Sequence, residues 1–218
     1  LEQRTISAHP KTDSVNLKSS KQTQLKPKIL TSIDKQLGAI QSANDKIQQK
    51  LAETIRQTLP IQQAPTELLK QLINNKQLPA TLKQLVQEIL NSPPQLQQID
   101  AEQIKKSLSQ SGLFLEAKLA QNKQNELQPD LKSLLLKFQQ SLKLEIEDSQ
   151  TKPATHQLYL IKELLKKTEG SLAKITLNQL ASLPKDDGNR QTWILDIPFF
   201  NQQQADNLRL EINHKTQS

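Results

Sequence analysis

Proline sets the lengths of the elements this chain can build. Between residues 60 and 184 it stands at Pro60, Pro79, Pro93-Pro94, Pro129, Pro153 and Pro184, among others. Its ring lacks an N–H and clashes with the turn before it, so a proline ends a helix or occupies its first turn. The middle of the chain must therefore be a series of short, separate pieces. Only 34% of residues are hydrophobic and 3% aromatic. A core made mainly of Leu and Ile favours helices packed on helices over a β-sandwich.

Apolar periodicity fills in the pieces. Residues 1–27 are polar, without a period, and are expected to be disordered. Ile29, Ile33, Leu37, Ile40, Ala43, Ile47, Leu51 and Ile55 recur in steps of three and four. They define one long amphipathic helix over 28–60 with a thin apolar stripe, stopped by Pro60. A helical domain is expected over 61–150. Its pieces run from Thr66 to Asn74, from Pro79 to about Asn91, and from Ala101 to Gly112, the last opened by an Asp100–Gln103 capping box and closed by Gly112. A short segment, Leu113 to Gln121, precedes a helix from Pro129 to about Ile146. Leu113, Leu119, Leu131, Leu135 and Phe138 are expected to be buried together. A last helix runs from Ala154 towards Leu183 with Leu172 and Ile175 on its apolar stripe. Gly170 weakens its middle by about 1 kcal/mol relative to Ala and marks a candidate bend.

After Pro184 the period changes from helical to alternating. Trp193, Leu195, Ile197 and Phe199 alternate with Thr192, Ile194, Asp196 and Pro198; Leu208, Leu210 and Ile212 alternate with Asn207, Arg209, Glu211 and Asn213. Both runs read as strands with one buried face, joined into a hairpin. The expected register sets Trp193 opposite Ile212, Leu195 opposite Leu210, Ile197 opposite Leu208 and Asp196 opposite Arg209. Trp193 is then expected to pack on the last helix at Leu172, Ile175 or Leu180, with Phe200 and the NQQQADN loop exposed. The fold class is mainly α: a polar disordered N-terminus, a long helix, a small helical array, and over 151–218 a helix plus β-hairpin that begins a truncated α+β domain. A chain that starts with Leu and contains no Met reads as a segment of a longer protein.

Composition argues against several chemistries. The absence of Cys rules out disulfides, thiolate metal sites and Cys nucleophiles. His9, His156 and His214 share no element at ligand spacing, so no metal is expected. Asp186-Asp187-Gly188 reads as a turn. Neither a glycine-rich phosphate loop nor a nucleophile elbow is present, so no catalytic residue, cofactor or small-molecule substrate is assigned. No apolar run approaches the ~18 residues of a membrane span. The net charge of +7 permits nucleic-acid binding. However, the lysines are dispersed, with Lys105-Lys106 and Lys166-Lys167 the best basic pairs, and base reading leans on Arg, present only four times.

Four segments in order carry a resemblance: SGLFLEAKLA at Ser111–Ala120, DLKSLLLKF at Asp130–Phe138, EGSLAKITLNQLASLP at Glu169–Pro184 and QTWILDIPF at Gln191–Phe199. Their succession resembles flagellar hook-length control proteins over roughly residues 90 to 215. The resemblance implies a non-enzymatic regulator held in the bacterial cytoplasm and then exported through the flagellar type III channel. It implies contact with hook or hook-cap subunits, and with an export-gate protein whose engagement switches export from hook to filament subunits. It also implies further strands and a helix after the hairpin. The alternative is a helical adaptor or nucleic-acid-binding protein using its basic surface.

Overall fold

The computed structural model describes residues 27–75, 78–149, 156–183 and 190–215. The expected disorder of residues 1–26, the expected helix start at Ala154 and the turn at Asp186-Asp187-Gly188 lie outside these. The described structure is mainly helical, with seven α-helices and one two-stranded antiparallel sheet. The chain divides into two compact units, Leu1–Gln49 and Lys50–Ser218.

Helix α1 spans Pro27–Thr58, as its period predicts. Among the described side chains its apolar stripe is largely open to solvent. Ile40 and Ile47, in the first unit, are 61 and 62% exposed; in the second, Leu51 is half-buried and Ile55 exposed.

In the second unit follow α2 (Pro65–Asn74), α3 (Ala80–Asn91), a 3₁₀ turn (Leu96–Gln98), α4 (Ala101–Gln110), α5 (Leu115–Ala120), a second 3₁₀ turn (Gln124–Glu126), α6 (Leu131–Ser149), α7 (His156–Ala181), β1 (Arg190–Asn201) and β2 (Gln204–Lys215). Pro65 opens α2, and the Asp100 side chain caps α4 by accepting from Gln103 N–H at 2.7 Å. Gly112 follows α4 with φ +90°, a helix-ending conformation that glycine adopts without strain. A Cβ there would come within 2.6 Å of Lys132 Cβ.

Helices α6 and α7 lie side by side, with α3 against α6 and α2 against α7. Leu68, Leu69, Leu82, Ile89, Leu134, Leu135, Phe138, Leu142 and Leu164 fill the core between them, and Leu131, Leu172 and Ile175 are buried in it. Two residues from the hairpin, Phe200 and Ala205, join the same core. The boundary expected near residue 150 therefore separates no cores: the helical array and the hairpin pack as one unit. Leu131, Leu135 and Phe138 share this core as expected, whereas Leu113 is half-buried and Leu119 is 55% exposed. The six-residue α5 buries Leu115 and Lys118, and Leu119, in its last turn, is left at the surface.

Helix α7 runs unbroken through Gly170. The Gly170 carbonyl accepts from Gln63 N–H at 2.9 Å, and a Cβ on this residue would lie 2.9 Å from the Ile61 carbonyl oxygen. The segment between α1 and α2 lies directly on the helix backbone there, an approach only glycine allows.

Candidate interaction surface

The hairpin register is the expected one: Trp193 opposite Ile212, Leu195 opposite Leu210, Ile197 opposite Leu208 and Asp196 opposite Arg209. The strands run on to Asn201 and Gln204 around a two-residue turn, in which Gln202 takes φ +58°.

The seating of the hairpin differs from expectation. Side chains alternate across a strand, and α7 takes the face that carries Asp196. The Asn178 amide donates to Asp196 Oδ2 at 2.9 Å, and Lys174 Nζ lies 3.6 Å from the same oxygen. The Asn207 amide donates to Oδ1 at 3.1 Å, and Arg209 stands 3.8 Å away. Phe200 and Ala205 share that face and enter the core, so Phe200, expected outside, is only 5% exposed. Trp193 shares the opposite face with Leu195, Ile197, Leu208, Leu210 and Ile212, and so does not lie on α7. Its ring is half-buried, 6.2 Å from that of His214. Over β1 this second face is covered, where β1 meets α4 and the first 3₁₀ turn, and Leu195 and Ile197 are buried. Over β2 the cover ends: Leu208 is 38% exposed, with Leu210 and Ile212 half-buried.

The two edges of the sheet are finished differently. Ile194 N–H donates to Ser182 Oγ and Phe200 N–H to the Pro94 carbonyl, both at 2.8 Å. Those bonds mean that the even-numbered residues of β1 turn their backbone away from β2. Pro198 has the same parity and offers no donor at all. The outer edge of β1 is thus closed by a hydroxyl, a carbonyl and a proline. Directly opposite residues turn outward together, so the outer edge of β2 consists of Ala205, Asn207, Arg209, Glu211 and Asn213. Ala205 is buried and β2 meets α2, and Asn207 N–H is bonded by the Asp206 carboxylate at 2.8 Å. Among the described residues, no group bonds the backbone of Arg209, Glu211 or Asn213.

A second polar cluster joins α5, α6 and α7. Asp130 is fully buried and caps α6, accepting from Lys132 N–H at 3.1 Å and Ser133 N–H at 3.3 Å. Lys118 Nζ reaches its other oxygen at 3.2 Å. Burial pushes the Asp130 carboxyl above its ordinary value, and the attraction of Lys118 offsets only part of that. Lys132 Nζ bonds Glu116 and, at 2.6 Å, Gln179; the Gln179 amide donates to the carbonyls of Gly112 and Leu113 at 2.9 and 3.1 Å. The sequence reading passed over Lys118, Asp130 and Gln179. The available signal was an Asp directly before the apolar run LKSLLL, which is an N-cap pattern.

Neither cluster sets a nucleophile beside a base. Among the described residues, no group of three His, Asp or Glu side chains is arranged to hold a metal ion, and no helix is long and apolar enough to cross a membrane. His9 lies outside the described residues, His156 begins α7 and His214 ends beside Trp193. The basic pairs Lys105-Lys106 and Lys166-Lys167 stand on α4 and α7. What the arrangement presents is surface: the α1 stripe, the half-covered face of the hairpin and the open edge of β2. No protein-family model, curated protein or solved structure matches the chain.

Proposed function

We propose that this chain is a non-enzymatic regulator of the flagellar hook-length control type. It would be exported through the type III apparatus and act by contact with hook or hook-cap subunits and with an export-gate protein. One observation carries the reading: the four segments that hold the resemblance meet through the side chains of a single one of them, NQLASL. Asn178 bonds Asp196 of the Trp strand, and Ser182 bonds Ile194 of the same strand. Gln179 bonds Gly112 and Leu113 of SGLFLEAKLA and receives Lys132 of DLKSLLLKF. A polar motif used in this way supports a shared scaffold better than a shared composition does. Exposed Ile40 and Ile47 on α1 add apolar surface suited to protein contact.

The test is genetic. In the flagellated cell that makes this chain, deleting it should give hooks of uncontrolled length and few filaments. Hooks of normal length bearing filaments would overturn the proposal. Binding to duplex DNA that falls steeply with salt would favour the alternative reading as a nucleic-acid binder.

A further inference from the structure

The geometry points to self-association: the open edge of β2 pairs antiparallel with β2 of a second copy, about a two-fold axis at Leu210. This rests on the edge as the described residues of β2 leave it, and the further strands that the flagellar resemblance implies would compete for that same edge. Pairing through two outer edges must join outward-facing residues, so only every second register is possible. In the register centred on Leu210, Arg209 falls opposite Glu211 of the second copy, and Glu211 opposite its Arg209. On the other face Leu208 falls opposite Ile212, Leu210 opposite itself, and Ile212 opposite Leu208. Every ion pair is complementary, and the exposed apolar stripe is continued across the junction. The neighbouring registers fail on charge: centring on Glu211 sets Glu against Glu, and centring on Arg209 sets Arg against Arg. Like charges directly opposite destabilise a sheet pair.

The match is specific to β2. The edge of β1 is closed by Ser182, Pro94 and Pro198, so a four-stranded sheet β1-β2-β2-β1 is finite and the assembly stops at two copies. An exposed and partly apolar edge strand is an invitation to pair. The charges on this one select a single alignment with itself over an arbitrary partner strand. The contact is one strand per copy, small for a protein interface, so the dimer should appear at high protein concentration.

The absence of cysteine makes the test clean. In the residues 1–218 chain, Leu210→Cys should give a disulfide-linked dimer on mild oxidation, because a residue on the axis faces its own copy across a non-hydrogen-bonded pair. Ile212→Cys, facing Leu208, should not. Sedimentation equilibrium should show a monomer–dimer equilibrium, and Glu211→Arg should raise its dissociation constant by about tenfold or more by setting Arg against Arg on both sides of the axis. Combining Glu211→Arg with Arg209→Glu should restore it, with Trp193 emission checking that the hairpin is intact. A monomer at every concentration overturns the proposal, as does linking by Ile212→Cys equal to that by Leu210→Cys. A dimer as tight in Glu211→Arg as in the parent also overturns it and points to another surface.

Discussion

Asn178 on α7 donates to Asp196 on β1 across 2.9 Å, and both side chains are buried. This bond lies on the same face of the hairpin as Phe200 and Ala205, which enter the core, so polar and apolar contacts together seat that face towards the helices. An acid in the middle of an apolar strand would ordinarily be turned to water. Here four polar groups converge on it, so the strand sits with its carboxylate inward.

Removing one end of that bond should be costly. Asp196→Ala leaves the Asn178 amide buried without its acceptor, and a loss of about 1–3 kcal/mol is expected. Asn178→Ala should cost a similar amount, and the double variant should cost less than the sum of the two. Urea unfolding followed by Trp193 fluorescence checks this; strict additivity would mean that the two residues act independently.

Gly170→Ala should destabilise the protein. On an ordinary helix the change gains about 1 kcal/mol. In α7 the new methyl meets the Ile61 carbonyl at 2.9 Å and Gln63 Cβ at 3.0 Å, a backbone clash worth about 1–3 kcal/mol. A raised melting temperature would show that the segment before α2 does not lie on the helix.

Phe138→Ala should cost about 3–5 kcal/mol, since the ring is fully buried among α2, α3, α6 and α7. Calorimetry of the variant measures it, and a cost below about 1 kcal/mol would place the ring outside the core.

Lys118→Met should cost about 3–5 kcal/mol by leaving the Asp130 carboxylate buried without its counter-charge. Adding Asp130→Asn should recover much of it, because an amide oxygen still caps α6. The pH dependence has a definite sign. Asp130 is held above its ordinary value of 3.8, so the folded state keeps its proton longer than the unfolded chain does. Its contribution is therefore fullest below 3.8 and is lost as pH rises through the raised folded value. The stability of the parent relative to Asp130→Asn should fall across that window in urea titrations. A rise would mean that the Lys118 pairing outweighs burial.

The sequence showed most of the scaffold and little of its polar joinery. Helix limits followed from proline and apolar period, and the hairpin register from alternation, because a slip by one residue would have turned Leu208 and Leu210 over. The orientation of the hairpin was not legible: Trp, Leu and Ile on one face argued for the helix side, and the contacts that oppose this, Asn178 with Asp196 and Phe200 with the core, are non-local. Phe200 was lost because Phe199 and Phe200 point to opposite faces, and the strand runs one residue further than a loop reading allows. Lys118 resembled the many solvated lysines, since nothing in the chain announces that Asp130 lies behind it. Gly170 looked like a weakness because the partner that demands it, Ile61–Gln63, stands far away in sequence.

The hairpin also has a mechanical character. Arg190 and Lys215 are paired at its open end, and its turn at Gln202-Gln203 lies at the far end. Tension between Lys215 and the helical body therefore loads one cross-strand pair at a time, as in opening a zip, instead of shearing all of them at once. The strand would peel from Arg190–Lys215 towards Asn201–Gln204, and Ala205, anchored in the core, would be the last to leave.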